Sequence, residues 1–474
     1  MQVYAQEELI SSYSTSKVAS LAGVHKDTLL RWLRRGLVQE PKRNRHGWRS
    51  FSNKDLQDII AFAQCPHIAS AVSESNEFIY KSKKLTVLEE IDWDFVGAKT
   101  NYLTHSIHPY PAKFIPQIPN ALIQELSSIG DTVGDIFCGS GTTLVEALTL
   151  KRNAVGVDAN PLACLIAQSK TTICTEEEIQ ALLTLAQRAK HMSDSIQSYG
   201  INSLFPTPSF QSNGWRPSTS NHDFWFDLHV TEELAEILDW CKRIDSHNSK
   251  QLALTAFSSI IVSVSKQDSD TRYVRRNKDI LPGDTFRRFA KAVEQIAHAS
   301  MEYSELVEDR FKCDIISKNL LSYPKIPLLD LMVCSPPYPN AYSYHLYHRT
   351  RMMWLQMDQP RFKKEEIGSH RKYSNPSSKG ASVETFRTEF EFIMKWLSKT
   401  LKKNGYACFV VGNSTLKRKL IDNADLISRT GQDSGFIEVA RINRTMQSTK
   451  KSFNPSHGKI KTEQILILQN QAEP

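Results

Sequence analysis

Four consecutive residues, Ser335-Pro336-Pro337-Tyr338, have the types and the order needed to hold one small polar group. Two successive prolines fix φ and remove two backbone donors, so the chain must leave the preceding apolar run 331–334 as a stiff turn. Such a turn can present a hydroxyl and a carbonyl oxygen to an amino group and place the ring of Tyr338 beside it. The chemistry that suits this arrangement is a reaction at the exocyclic amino group of a flat base.

A second segment, residues 135–143, has the glycine pattern of a turn that approaches a cofactor closely. It follows a short apolar strand pattern and precedes the helical stretch 144–148. Glycine has no Cβ, and the first turn of a helix has free N–H groups, so both features favour close contact with a ligand. The residues that form the pattern are Asp135, Phe137, Gly139, Gly141 and Thr142.

Asp158 ends the next apolar strand pattern along the chain. A carboxylate at the tip of a second strand can accept hydrogen bonds from two ribose hydroxyls. The alternative role for Asp158 is the N-cap of the helix that follows. We expect this carboxylate, the glycine turn and the Ser335–Tyr338 turn to meet in one crevice at the carboxyl ends of neighbouring strands.

Taken together, these segments resemble the DNA amino-methyltransferases. Ser-Pro-Pro-Tyr is similar to their fourth motif, and Asp-x-Phe-x-Gly-x-Gly-Thr is similar to their first motif. The resemblance implies an α/β fold, a Rossmann-like methyltransferase domain with S-adenosylmethionine as cofactor. It implies catalytic roles for Ser335, Pro336, Pro337 and Tyr338.

Two further cofactor contacts rest on the same resemblance. Lys113 lies in segment 108–116, which is similar to a motif that closes over the cofactor, and would meet the methionine carboxylate. The alternative for Lys113 is a solvated loop lysine. Asp314, at the end of an apolar run, matches the third motif, which contacts the adenine; the alternative there is a surface aspartate.

The reaction implied needs no covalent intermediate. The amino nitrogen must be positioned in line with the methyl group, and because a duplex hides that nitrogen the base is expected to flip out onto Tyr338. Ser335 cannot act as a strong base, so we expect the proton to leave to water, and we expect Cys334 to be a buried, inert thiol. Serine in the first motif position favours cytosine N4 as the methylated atom, with adenine N6 as the alternative.

The N-terminal segment 11–65 resembles the winged helix-turn-helix of MerR-type regulators. Its pattern is a capped helix ending at Gly23, a second helix from residue 25, a basic wing and a third helix from Asn53. In that family the second helix enters the major groove and the wing touches phosphates. The residues expected to contact DNA are Lys26, Thr28, Arg31, Arg34, Arg35, Arg45 and Arg49. The alternative reading of these charges is a solvated face.

The sequence therefore predicts a DNA-binding domain over 1–65, a connector over 66–94 and a methyltransferase domain over 95–474. A mainly helical insertion, 171–309, is the candidate target-recognition region. Basic residues in the insertion and in a later loop are predicted DNA contacts. They are Arg272, Arg275, Arg276, Arg371 and Lys372.

The composition agrees with an anionic partner. The 474 residues include 59 lysines and arginines against 51 acidic residues, a net charge of +8, which favours double-stranded DNA as the partner. Eight cysteines without a Cys-x-x-Cys pair predict reduced thiols and no metal site. With no apolar run of membrane length, a cytoplasmic, nucleoid-associated, bacterial-type protein is expected, and a cognate restriction endonuclease is a further partner that the resemblance allows.

Two other classes of function remain open at this stage. The chain could be a DNA-binding regulator whose methyltransferase-like domain only senses the cofactor, although neither motif has decayed. It could also methylate RNA bases. The MerR-like segment argues against RNA, because that module reads grooves of B-form duplexes.

Overall fold

The computed structural model describes most of the chain, and the described residues form two compact units, Met1–Glu90 and Ile91–Pro474. The described residues are 13–24, 29–30, 32–33, 38–42, 49–64, 85–202, 210–218, 222–340, 342–373, 381–416, 419–445 and 462–472. None of the helices among these residues is long and apolar enough to cross a membrane.

The first unit contains helices α1 (Thr15–Leu21) and α2 (Asn53–Gln64) around a small apolar core. Ser14 caps α1, since its hydroxyl accepts a hydrogen bond from the backbone N–H of Lys17 at 3.4 Å. The capped first helix and the helix from Asn53 are therefore confirmed. The helix-turn-helix as a whole stays a prediction, because several of its DNA contacts lie outside the described residues. These are Lys26, Thr28, Arg31, Arg34, Arg35 and Arg45.

The second unit is built on a seven-stranded sheet of order β3-β2-β1-β4-β5-β7-β6. The strands are β1 (Thr132–Asp135), β2 (Asn153–Asp158), β3 (Cys313–Ser317), β4 (Leu329–Cys334), β5 (Leu401–Gly412), β6 (Phe436–Thr445) and β7 (Thr462–Asn470). β7 runs antiparallel to its neighbours β5 and β6, and all other neighbouring strands of this sheet pair in parallel. The strand predicted at 463–468 is thus confirmed as a final antiparallel strand.

The order of the sheet reverses between β1 and β4, which pair in parallel with Val133 opposite Leu331. In an open α/β sheet a ligand binds outside the carboxyl ends of the strands where the order reverses. The glycine turn follows β1, the Ser335–Tyr338 turn follows β4, and β2 lies on the other side of β1. Both motifs therefore leave the sheet at adjacent positions.

Helices and short turns of 3₁₀ helix connect these strands. The helices are α3 (Gln117–Leu126), α4 (Thr142–Thr149), α5 (Pro161–Thr171), α6 (Glu176–Asn202), α7 (His222–Trp225), α8 (Leu228–Lys242), α9 (His247–Val264), α10 (Asp284–Leu306), α11 (Tyr344–Tyr347), α12 (Arg349–Trp354), α13 (Gln359–Glu365), α14 (His370–Tyr373), α15 (Val383–Thr400) and α16 (Asn423–Gln432). The 3₁₀ turns are Leu103–Ser106 and Leu320–Ser322. Short antiparallel hairpins pair Gln267–Ser269 with Arg272–Arg275 and Ser414–Leu416 with Lys419–Ile421.

The predicted insertion contains α6 to α10, which share one apolar core, together with hairpin 267–275. Several buried polar contacts join it to the rest of the unit, among them the following two. His108 Nε2 lies 3.0 Å from the hydroxyl of Ser258 on α9. Arg351 of α12, which is fully buried, forms an ion pair of 2.5 Å with Asp270. The insertion is therefore packed into the rest of the second unit.

Gly141 shows why the glycine turn tolerates little change. Its φ of +80° lies in the left-handed region, and an added Cβ would lie 2.9 Å from Cβ of Ala167 on α5. Replacing Gly141 with alanine is expected to lower the free energy of unfolding by about 2–5 kcal/mol, because backbone strain and overpacking add. Denaturant titration of the variant would measure the loss.

Gly130 is the matched control for this substitution. Its φ is +89°, but an added Cβ would have nothing within 4 Å. The Gly130→Ala variant should lose only about 1–2 kcal/mol from backbone strain. Equal losses at the two positions would contradict the packing role of Gly141.

Candidate active site

A cavity of about 350 Å³ lies where the turns that follow β1, β2 and β4 come together. Its lining includes Phe137, Cys138, Gly139, Ser140 and Thr142 of the glycine turn, Asp158 after β2, and Ser335, Pro336, Pro337 and Tyr338 after β4. The expectation that these segments meet in one crevice is confirmed by this geometry.

Asp158 connects the glycine turn to the cavity. One carboxylate oxygen accepts a hydrogen bond from Gly139 N at 2.9 Å, and the other accepts one from Asn160 N at 2.8 Å. Burial raises the pKa of Asp158 to about 6. The N-cap of α5 is Asn160, whose side-chain oxygen accepts from Leu162 N at 3.1 Å, so the N-cap alternative for Asp158 is wrong.

Asp135 and Gly141 support the turn without lining the cavity. The Asp135 carboxylate is buried and accepts hydrogen bonds from Phe137 N at 3.1 Å and from the Thr143 hydroxyl. Burial raises the pKa of Asp135 to about 7. Their effect on a ligand is therefore indirect, through the shape of the turn, whereas Phe137, Gly139 and Thr142 face the cavity itself.

Lys113 lines the cavity, and its ammonium group donates a hydrogen bond to the backbone oxygen of His105 at 2.8 Å. Desolvation lowers the pKa of this lysine. Tyr110 of the same segment stacks on Tyr344 with ring centroids 5.8 Å apart, and segment 108–116 contributes Tyr110, Ala112, Lys113 and Phe114 to the lining.

Sequence reasoning missed Lys170 of α5. This lysine has no solvent exposure and its ammonium group donates to the hydroxyl of Ser140 at 3.3 Å, while Ser140 lines the cavity. Burial lowers the pKa of Lys170 well below its usual value. Lys170 lies in the last turn of α5, where a lysine is common and carries no local signal of burial, so only the packing of α5 reveals it.

Asp314 requires a correction. It is exposed near the amino end of β3, opposite Val155, and does not line the cavity. The residues that reach the cavity from this strand are those past its carboxyl end, Lys318, Asn319 and Leu320. Because ligands gather at the carboxyl ends of such strands, Asp314 is too early in β3 for the predicted adenine contact.

Tyr338 is held in place by its hydroxyl, which accepts a hydrogen bond from Gly412 N at 2.9 Å at the end of β5 and also bonds to the Ser335 side chain. Burial raises the pKa of Tyr338. The preceding Cys334 is fully buried, and burial raises the pKa of its thiol well above the usual range. The thiol is therefore in its unreactive, protonated form.

The basic residues predicted in the insertion lie on hairpin 267–275. Arg272 and Arg276 are exposed and sit 3.5 and 3.4 Å from the Asp268 carboxylate. Arg275 donates to the backbone oxygen of Phe224 at 3.1 Å and lies over its ring at 5.1 Å. The Gln267 side chain of this hairpin donates to the Tyr347 carbonyl of α11 at 3.0 Å, and Tyr344 of the same helix lines the cavity.

The other predicted DNA contacts have acidic partners. Lys372 of α14 pairs with Glu389 of α15, and Arg49 donates to Glu40 at 2.7 Å. The side chain of Arg371 lies outside the described part of the chain. A contact with phosphate would therefore have to compete with these ion pairs at Lys372 and Arg49.

The pKa of Asp158 predicts how cofactor binding depends on pH. Only the ionised carboxylate accepts hydrogen bonds with both oxygens, and with a pKa of about 6 it is largely protonated at pH 5. The affinity for S-adenosylmethionine should fall roughly tenfold between pH 7.5 and pH 5, as measured by calorimetry.

The stability of the free protein should change in the opposite direction over the same range. The folded-state pKa values of Asp135 and Asp158 are both raised, to about 7 and about 6. The folded state therefore binds more protons than the unfolded state, and the free energy of unfolding contributed by these groups falls as pH rises from about 4 to about 7. If affinity and stability both rose with pH over this range, the assignment of Asp158 as the ribose acceptor would be contradicted.

A sheet of this strand order with a glycine turn after β1 and a carboxylate after β2 defines the class of Rossmann-like, S-adenosylmethionine-dependent methyltransferases. Residues 4–169 match the N6/N4 methyltransferase family described as DNA methylase. That match includes the glycine turn and Asp158, while the Ser335–Tyr338 turn lies beyond it.

Curated relatives agree with the family match. The Type II methyltransferase M.MvaI of Kocuria varians is 25% identical over 56% of this chain and 60% of its own length. M.MjaII of Methanocaldococcus jannaschii, also a Type II methyltransferase, is 22% identical over 78% of this chain and 83% of its own length. Among solved structures, TrmN from Thermus thermophilus is 10% identical over 76% of this chain and 50% of its own, with a TM-score of 0.29. The family model covers less than half of the chain, and this chain spans 60% of the length of M.MvaI.

S-adenosylmethionine is the cofactor, and the residues present fit it. Lys113 offers a cation for the carboxylate, Asp158 offers acceptors for the ribose, and the turn at Gly139, with φ +48°, leaves room for close approach. The cofactor supplies an activated methyl group. Among the described residues, no cluster of His, Cys, Asp and Glu could hold a metal ion.

Proposed function

We propose that the chain is a site-specific DNA methyltransferase that transfers a methyl group to the exocyclic amino group of a base. The observation that carries the proposal is that the cofactor turn and the Ser335–Tyr338 turn line one cavity from adjacent strands, β1 and β4. A base amino group placed against the second turn would therefore face the cofactor bound at the first turn.

The residues of the Ser335–Tyr338 turn have distinct roles in this proposal. The Ser335 hydroxyl and the carbonyl of Pro336 accept the amino hydrogens, which draws the nitrogen lone pair out of conjugation with the ring. Tyr338 stacks on the flipped base, and Pro337 keeps the turn stiff. The bond from Gly412 N to the Tyr338 hydroxyl supports this role, because it fixes the ring before the base arrives.

We further propose cytosine N4 as the methylated atom, with adenine N6 as the second candidate. Serine in the first motif position, at Ser335, favours cytosine, although both bases offer an amino group beside a ring nitrogen. To test this, the protein is incubated with methyl-labelled cofactor and unmethylated DNA, and the digested nucleosides are identified.

Each outcome of that experiment has a definite meaning. Label in N4-methylcytosine would support the full proposal, and label in N6-methyladenine would replace only the choice of base. Absence of labelled nucleoside, with the cofactor still bound, would favour the DNA-binding regulator. In a parallel incubation with RNA, label transferred to RNA but not to duplex DNA would overturn the choice of nucleic acid.

Double-stranded DNA is the proposed partner, contacted by the N-terminal unit and by hairpin 267–275. Exposed Arg272 and Arg276 support contact with phosphates, because the chain also carries a net charge of +8. The Type II relatives favour a role in restriction–modification, with a cognate endonuclease as a second proposed partner.

A further inference from the structure

Glu463 is an acidic residue in the cavity that no motif of the sequence indicated. It lies near the start of β7, between Gly412 of β5 and Arg444 of β6 in the register of the sheet. Its side chain lines the same cavity as Ser335 and Tyr338. Glu463 therefore reaches the cavity from β7, which is separated in the sheet from β4 and its turn by β5.

The position of Glu463 relative to Tyr338 follows from one backbone contact. Gly412, the residue opposite Glu463 on β5, donates its N–H to the Tyr338 hydroxyl at 2.9 Å. The negative charge of Glu463 is close enough to raise the pKa of Tyr338, second only to burial among the causes. Glu463 thus lies on the side of the cavity where the base would stack, away from the glycine turn.

The carboxylate of Glu463 is held by one cation. Arg444, only 6% exposed, donates from Nη1 to Oε2 of Glu463 at 2.5 Å and from Nε to the Trp93 carbonyl at 3.0 Å. Arg444 is the only described residue with a hydrogen bond to this carboxylate, and the bond involves Oε2 alone. The other oxygen, Oε1, is therefore available to a ligand as far as the described residues are concerned.

The other carboxylates of the lining have partners, although Oε2 of Glu365 is buried without a hydrogen bond to any described residue. They are Asp158, Glu365 and Glu366. Asp158 accepts from two backbone N–H groups of the cofactor turn and its neighbour. Glu366 is buried against His345 and Tyr344 N, and Glu365 pairs with Arg361 at 3.0 Å. Glu463 differs from them in position, because it lies opposite Gly412, whose N–H binds the Tyr338 hydroxyl.

The chemistry of the reaction leaves a task for such a group. When the amino nitrogen forms its bond to the methyl carbon, the carbon–sulfur bond breaks and its electron pair goes to sulfur. The nitrogen then carries a positive charge and must lose a proton. A serine hydroxyl is too weak a base to take that proton, whereas a carboxylate can accept it.

We propose that Glu463 is a catalytic residue, and that its carboxylate accepts the amino proton during methyl transfer to the base bound at Ser335–Tyr338. This rests on the proposed function. The products are the N-methylated base, the neutral thioether and protonated Glu463, which returns its proton to water. Arg444 fixes the carboxylate, and burial counteracts its effect by raising the pKa of Glu463.

The experiment is single-turnover methyl transfer to unmethylated DNA between pH 5 and pH 9, with saturating labelled cofactor. Glu463→Gln should slow the transfer by about 10²–10⁴-fold and should remove the fall in rate on the acid side. A ¹³C titration of glutamate carboxyl groups, compared between the wild type and this variant, identifies Glu463. The midpoint of the Glu463 titration should coincide with the pH at which the wild-type rate falls to half on the acid side, here called the acid limb.

Matched variants separate this role from a structural one. Glu438→Gln removes a carboxylate of β6 that also pairs with an arginine, Arg441 at 2.7 Å, outside the cavity lining; Glu365→Gln removes one within the lining. Both should keep the acid limb. The double variant Glu463→Gln/Arg444→Met removes the unpaired buried cation and should recover thermal stability but not the rate.

Several outcomes would overturn the proposal. An acid limb kept in Glu463→Gln, a midpoint that does not match it, or loss of the limb in Glu365→Gln would each assign the proton to another acceptor. If the wild type transfers no label to any DNA at any pH, the proposed function fails instead. Unchanged cofactor affinity in Glu463→Gln verifies that the cofactor half of the cavity is intact.

Discussion

Replacing Tyr338 with alanine is expected to slow methyl transfer by about 10²-fold or more, with the affinity for S-adenosylmethionine changed by a factor of about two or less. In the proposed reaction the ring supplies the surface on which the flipped base stacks, and its loss would also let the base move relative to the methyl group. Single-turnover transfer to DNA measures the first effect, and calorimetric titration of the cofactor measures the second.

Tyr338→Phe is the matched control, since it keeps the ring and removes only the hydroxyl that accepts from Gly412 N. Its rate should lie between those of the wild type and the alanine variant. Ser335→Ala should resemble Tyr338→Ala, with slow transfer and normal cofactor binding. If Tyr338→Ala instead lost the cofactor and kept the transfer rate at saturation, the base-stacking role would be wrong.

Asp158→Ala should have the opposite pattern, in which cofactor affinity falls more than the transfer rate. Affinity should fall about 10²-fold, because the expected charge-assisted hydrogen bonds to the ribose are lost. The substitution also leaves Gly139 N and Asn160 N without their acceptor, which loosens the turn. Transfer at saturating cofactor should be less affected than affinity, and titration calorimetry together with a saturation curve would separate the two.

Asp131→Ala provides the control for this substitution. Asp131 precedes β1 at the opposite end of the strand and accepts from Ser128 N at 2.7 Å, so it shares the residue type and a backbone bond but not the cavity. Its cofactor affinity should equal that of the wild type. Wild-type affinity in Asp158→Ala would remove the ribose assignment.

The elements that carry the motifs were predictable because their signals are local. A short apolar run that ends in Gly-x-Gly or Pro-Pro determines where β1 and β4 end, and the apolar run before Asp158 does the same for β2. Both motifs were expected to serve one ligand site. Because such sites form at the carboxyl ends of neighbouring strands where the order reverses, the two strands were expected to be adjacent.

Features that depend on register were not predictable. Asp314 is displaced from the cavity because the pairing of β3 with β2 sets Val155, and not Asp158, opposite it. Glu463 was missed because its neighbours Gly412 and Arg444 come from strands whose alignment no local pattern encodes. The burial of Lys170 likewise depends on how α5 packs.

The basic pattern of the sequence did not indicate which of the basic side chains have an acidic partner in the structure. Arg49 and Lys372 fitted the basic pattern of a DNA-binding surface, yet each has an acidic partner, Glu40 and Glu389. Those partners lie 9 and 17 residues away along the chain, too far for a local pattern to predict the pairing. Arg272 and Arg276, both near Asp268, keep more of their surface exposed.

The ion pair between Arg351 and Asp270 limits how this protein can be re-engineered. A chimera that received its inserted helices from a relative would also replace Asp270 and keep Arg351. An arginine without solvent exposure and without its carboxylate would cost such a hybrid about 3–5 kcal/mol. Grafts that carry the acidic residue over, or that exchange α12 together with the helices, should fold where simple swaps fail.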